Sequence, residues 1–142
     1  MSDKYFLDTN IFVYSLDSAN TEKQRQANQL IKSALKNSTG CISFQVIQEF
    51  INVATRKFTI PLSIPDSEKY LNAVLSPLCE VFVSIDLYSR SLELMERWQF
   101  SFYDSLIVAA ALQADCSILY SEDLQHEQKL EKLTIINPFH TH

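Results

Sequence analysis

The sequence predicts an α/β fold: one domain over residues 1–142, with a mostly parallel central sheet of about five strands and helices on both faces. Three observations predict it. Short apolar runs rich in β-branched and aromatic residues alternate with longer segments of helical period. The chain of 142 residues is too short to divide into two units that each bury a good core. No internal repeat, low-complexity tract or linker interrupts the alternation.

The first strand is Tyr5-Phe6-Leu7, and Ile11 to Leu16 follows as a short helix. Glu22 to Lys36 is amphipathic, with Ala27, Leu30, Ile31, Ala34 and Leu35 on one face. Cys41-Ile42-Ser43 is the second strand. The helix after it runs from Phe44 to Lys57, with Ile47, Phe50, Ile51 and Ala54 inward. Ile64-Pro65-Asp66 opens a helix through about Leu75, with Asp66 or Ser67 near its start and Pro77 beyond its end. Glu80 to Val83 is a strand, and Leu87 to Gln99 a helix whose packed side carries Leu92, Met95 and Trp98 or Gln99. Tyr103 to Ala114 is almost wholly apolar, which marks a helix buried on most sides. Ser117 to Tyr120 and Leu133 to Ile136 complete the strands.

Composition excludes several chemistries. Gly40 is the single glycine, so neither a dinucleotide-binding Gly-x-Gly-x-x-Gly turn nor a phosphate loop ending in Gly-Lys-Ser/Thr can be written. Cys41, Cys79 and Cys116 are widely spaced in apolar surroundings, and His126, His140 and His142 lack ligand spacing. A zinc site or disulfide framework needs closer pairs, so the cysteines read as reduced core thiols. No apolar run is long enough to span a membrane. Met1-Ser2-Asp3-Lys4-Tyr5 lacks the features of a secretory signal, so a cytoplasmic location is expected. The net charge of -5 argues against a protein that coats nucleic acid through a broad basic surface. A bound divalent cation would invert that sign locally.

In parallel sheets, ligands bind outside the carboxyl ends of the strands. Asp8 directly follows the first strand, where it can also cap a helix. Glu49 lies in the helix that leaves the second strand. Asp104 opens the apolar helix, where a first-turn acid also complements the dipole. Asp123 follows the strand ending at Tyr120, beside a competing Glu122. Two carboxylates about 4 Å apart repel by roughly 4 kcal/mol at an effective dielectric of 20. Four that converge must take up protons or bind a cation, and an oxygen-only set selects Mg²⁺ or Mn²⁺ over zinc.

Leu7-Asp8-Thr9-Asn10, Gln48-Glu49-Phe50, Tyr103-Asp104 through Ala111 and Ser121-Glu122-Asp123-Leu124 resemble, in order, the motifs of the PIN-domain family. Over essentially its whole length the chain is similar to the compact VapC-like ribonuclease toxins of toxin–antitoxin pairs. The resemblance implies a Mg²⁺-dependent endoribonuclease with Asp8, Glu49, Asp104 and Asp123 around the metal and Asn10 and Ser121 as polar support. It also implies frequent dimerisation, an RNA substrate and an antitoxin partner. Glu127 departs from the pattern, standing where these relatives often have glycine.

Two other functions compete with this one. Among Asp-based phosphotransfer or phosphatase domains, a haloacid-dehalogenase-like phosphatase wants a second acid two residues after the first strand's Asp, where Asn10 stands. A phosphotransfer receiver wants an acidic pair near that strand and a lysine after a late strand, where Glu122-Asp123 stands. A catalytically silent PIN-like binding module would lack one or more of the acids, and all are present. Phe100, Phe102 and Tyr103 suit core or dimer packing, or a stacking platform for bases. Lys23, Arg25, Lys32, Arg56 and Lys57 are the cations expected to flank the acids and hold phosphates.

Overall fold

The computed structural model describes residues 3–140, so Met1, Ser2, Thr141 and His142 lie outside the described residues. In chain order, strand β1 (Tyr5–Leu7) leads into α1 (Thr9–Ser15) and α2 (Thr21–Asn37), then β2 (Gly40–Ser43) and α3 (Phe44–Arg56). Helix α4 (Ile64–Tyr70) continues through a π turn (Leu71–Leu75) into a closing α turn, α5 (Ser76–Leu78). Strand β3 (Cys79–Val81), α6 (Ile85–Trp98), α7 (Phe102–Gln113), β4 (Ile118–Tyr120), β5 (Lys129–Leu130) and β6 (Leu133–Ile136) follow.

The six strands lie in the order β3-β2-β1-β4-β6-β5. All pairs are parallel except β5 with β6. Every residue of β1 is buried. Successive strand side chains point to opposite faces, so both faces of the sheet are covered at its centre. Helix α2 packs on β2, α1 packs on α2 and α3, and α7 packs across β2 and β4. Gly40 starts β2 where α2 comes closest. A Cβ there would stand 2.5 Å from Ala34 Cβ and 2.7 Å from the Tyr5 ring, so close packing is what requires the glycine.

Helix α7 is buried from Ser105 to Leu112, as its apolar sequence predicts. Several expectations shift. The helix that starts at Ile64 does not stop near Leu75. The π turn passes into the α turn holding Pro77, whose missing N–H breaks the ordinary ladder. The strand predicted through Val83 ends at Val81, and Phe82 and Val83 are exposed. On α6 the packed residues are Leu87, Ser91 and Leu94, whereas Leu92 is 59% exposed. Strand β5 is an addition to the predicted set. It closes a hairpin through Glu131, held at φ 53°, which carries none of the glycine or asparagine signal of tight hairpins. Glu127 also takes a left-handed backbone, φ 68°, a conformation glycine adopts without steric cost.

Cys41, Cys79 and Cys116 are free thiols; Cys41 and Cys116 are buried, with sulfurs 3.5 Å apart, and Cys79 is partly exposed. Among the described residues no helix is long and apolar enough to cross a membrane.

Candidate active site at the carboxyl edge of the sheet

The chain fills the sheet outward from β1 through β2 to β3, then returns to place β4 on the other side of β1. The gap between the ends of β1 and β4 is therefore the topological switch point. Asp8 stands there. Its N–H donates to the Tyr120 carbonyl (3.0 Å), extending the ladder by one bond, before Asp8 caps α1. The carboxylate accepts the Thr9 N–H at 2.7 Å and the Ser121 hydroxyl at 2.7 Å. The helix cap expected of Asp8 is therefore present at the switch point.

The neighbours of Asp8 carry the other acids. Thr9 donates its hydroxyl to Glu49 Oε1 at 2.6 Å, so α1 fixes the acid of α3. Asn10 donates to Asp123 Oδ2 at 3.1 Å and accepts the Glu122 N–H at 3.4 Å. Ser121 Oγ accepts the Asp123 N–H at 3.2 Å. Asn10 and Ser121 thus hold the loop of Asp123 against the end of β1. Asp104 sits in the first turn of α7, with its own N–H capped by Ser101 Oγ at 3.3 Å. The buried Gln45 side chain links that turn to α3, donating to Glu49 Oε2 at 3.3 Å and to the Tyr103 carbonyl at 3.2 Å. Thr9 and Gln45 were not singled out from sequence. The only signal for them was adjacency to Asp8 and a one-turn spacing from Glu49.

Asp8 is 6% exposed, and burial pushes its carboxyl up to about 7. The bonds from Ser121 and Thr9 oppose that shift, and the charges of Asp123 and Glu49 add to it. Asp8, Glu49 and Asp123 therefore share one electrostatic neighbourhood. The folded protein holds this proton between about pH 4 and 7, where the unfolded chain has lost it. Its contribution to stability is full below about pH 4 and disappears as pH rises through about 7, a change of about 4 kcal/mol. Denaturation of the metal-free protein in EDTA across that range, compared with Asp8→Asn, isolates this group. The gap between the two should open in favour of the variant as pH rises, and a constant gap would contradict the assigned burial.

Among the described residues no three His, Cys, Asp or Glu side chains are close enough to enclose a metal ion. The four acids therefore do not form a closed protein cage of the kind structural zinc requires. The donors at the switch point are oxygens, and the buried carboxylate lacks a cationic partner among its bonds. Mg²⁺ keeps several waters and takes one or two carboxylates directly. Asp8, with Glu49 and Asp123 in its electrostatic neighbourhood, offers oxygen donors of the kind that ion takes.

The cations expected around the acids are distributed unevenly. Lys23 reaches Glu122, beside Asp123. Arg25 pairs with Glu22 on its own helix. Lys32 is exposed on α2, and Arg56 and Lys57 end α3, roughly 10 Å along the helix from Glu49. Tyr103, next to Asp104, is 66% exposed, whereas Phe100 and Phe102 are half-buried.

A sequence comparison with curated proteins finds no match. Three solved structures share the fold. A toxin–antitoxin complex from Klebsiella pneumoniae is 19% identical with a TM-score of 0.68, covering 97% of this chain and 100% of its own. VapC20 of Mycobacterium tuberculosis, described as a sarcin–ricin-loop-cleaving toxin, is 20% identical with a TM-score of 0.64, covering 84% and 90%. VapBC2 of Rickettsia felis, bound to a DNA fragment from its promoter, is 23% identical with a TM-score of 0.62, covering 92% and 96%. The family profile described as PIN domain matches residues 5–131. The chain belongs to the PIN domain family.

Proposed function

We propose that the chain is a Mg²⁺-dependent endoribonuclease of the VapC type, the toxin of a toxin–antitoxin pair, with Mn²⁺ able to substitute. The observation that carries this reading is the buried Asp8 at the switch point of a PIN fold, with Glu49 and Asp123 in its electrostatic neighbourhood. When bound, the ion supplies Lewis acidity that activates water for in-line attack on phosphorus and offsets charge on the leaving oxygen. Asp8 and Asp104 are the carboxylates assigned to hold it, with Glu49 and Asp123 completing the site directly or through water. Thr9 and Gln45 fix the rotamer of Glu49, and Asn10 and Ser121 fix Asp123 and Asp8.

The reading extends to partners. RNA is the substrate, the cytoplasm the location, and a homodimer with a cognate antitoxin the working assembly. Phe82, Val83 and Ile85 are exposed close together in sequence and offer apolar surface to such an interface. The presence of all four acids favours this over a silent binding module.

The test is cleavage of a structured RNA by purified protein, with Mg²⁺ and then with excess EDTA. Internal cuts leaving 5′-phosphate and 3′-hydroxyl ends, lost in EDTA and regained on adding Mg²⁺, are expected. Undiminished cleavage in EDTA, with contaminating nuclease controlled for, refutes the metal mechanism. No cleavage under any condition favours the silent module.

A further inference from the structure

Residues 121–128, which carry Asp123, contain no helix or strand. The stretch is tied to the sheet at its ends, where Ser121 N–H donates to the Ile136 carbonyl (3.0 Å) and Glu127 N–H to the Ile135 carbonyl (2.7 Å). Between those points the placement of Asp123 depends on side chains, and Asn10 and Ser121 supply only part of it. His126 Nδ1 accepts the Asn137 N–H farther along the loop at 2.9 Å, and the adjacent Glu122 is tied as well. Its carboxylate accepts the Tyr14 hydroxyl at 2.7 Å and Lys23 Nζ at 2.5 Å. Lys23 Nζ also lies 3.2 Å from the Tyr14 hydroxyl and over two rings, 4.4 Å from the centre of Tyr14 and 5.4 Å from that of Phe139. Those rings meet edge to face at 5.0 Å. Helices α1 and α2, the acidic loop and the C-terminal segment thus converge on one ion pair.

An exposed Lys–Glu pair does little, because solvent screens it and both side chains must be ordered. This pair is different: the side chains are 29% and 25% exposed, a phenol donates to the same carboxylate, and aromatic faces shelter the ammonium. Lys23 also neutralises a glutamate that would otherwise add its charge to the acids beside it.

We propose that Lys23, Tyr14 and Glu122 form a latch that positions Asp123 against Asp8. They are positioning residues, acting through the loop rather than on substrate. The functional meaning of the latch rests on the nuclease reading above, but its existence does not.

The test therefore reads the loop without metal or RNA. Solvent exchange of backbone amides is followed by NMR in the metal-free wild type, Lys23→Met, Glu122→Gln, Lys23→Arg and the charge swap K23E/E122K. In Lys23→Met and Glu122→Gln the Asp123 amide should exchange at least about tenfold faster, while β1 amides keep their protection. Lys23→Arg and the charge swap should return it toward the wild-type rate. Mn²⁺ affinity, titrated separately, should fall in the first two variants and recover in the others. Unchanged Asp123 exchange in both broken-latch variants overturns the proposal, as does equal loss of protection in β1, which would make the contact merely structural. If the exchange pattern holds but the wild type cuts no RNA, the nuclease reading fails and the latch stands.

Discussion

Asp8→Asn is expected to cut RNA cleavage by roughly a thousandfold while leaving the fold intact. The substitution keeps the shape and the polar partners of the side chain: Thr9 N–H still meets an oxygen, and the Ser121 hydroxyl can turn to accept from the new amide. What is lost is the charge that holds the cation. Several kcal/mol of transition-state stabilisation depend on that cation, and about 4 kcal/mol corresponds to about three orders of magnitude in rate. Asp104→Asn should behave alike if the first turn of α7 contributes a ligand. Because the ionised Asp8 is a buried, uncompensated charge in the metal-free protein, Asp8→Asn should also melt at higher temperature in EDTA at pH 8. Loss of activity together with gain of stability separates a functional acid from a structural cap. Cleavage kinetics at saturating Mg²⁺ and thermal melts of the same preparations provide both readings. An active variant would remove Asp8 from the mechanism.

Phe50→Ala is expected to destabilise the protein by about 3–5 kcal/mol, the cost of an aromatic cavity in a packed core. Phe50 is 1% exposed on α3. Its ring stacks on Tyr70 of α4 at 4.9 Å and meets Phe58 and Phe12 of α1 edge to face, each at 6.4 Å. One side chain therefore joins three helices immediately beside Glu49. Urea titration followed by circular dichroism measures the effect. A change under about 1 kcal/mol would mean that the cluster relaxes around the hole and that α3 is anchored elsewhere. At temperatures where the variant remains folded, Glu49 should be less well held, since Thr9 reaches it from α1, which Phe50 packs against through Phe12.

The sequence by itself determined the class of the fold. Period and composition suggest it locally: Tyr5-Phe6-Leu7 and Leu133 to Ile136 are short β-branched or aromatic runs that form strands, and the apolar run from Tyr103 to Ala114 forms a buried helix. It also determined which acids leave the sheet at its carboxyl edge, because the residue after a strand is fixed by where the strand ends. The tertiary structure decided the rest. Which side of α6 packs depends on where α7 lies, so Leu92 faces solvent although its spacing allows burial. Strand β5 exists because β6 offers it an edge, and Glu127 and Glu131 accept left-handed backbones because the surrounding bonds outweigh a modest steric cost. Lys23 and Arg25 look equivalent in the sequence, yet α2 turns one toward Glu122 and leaves the other paired on its own helix. The bonds from Thr9 to Glu49, from Gln45 to the α7 turn and from Ser121 to Asp8 join residues from 40 to 113 positions apart. No local pattern encodes such pairings, because side-chain hydrogen bonds depend on ångström-scale approach between elements that periodicity places only as neighbours.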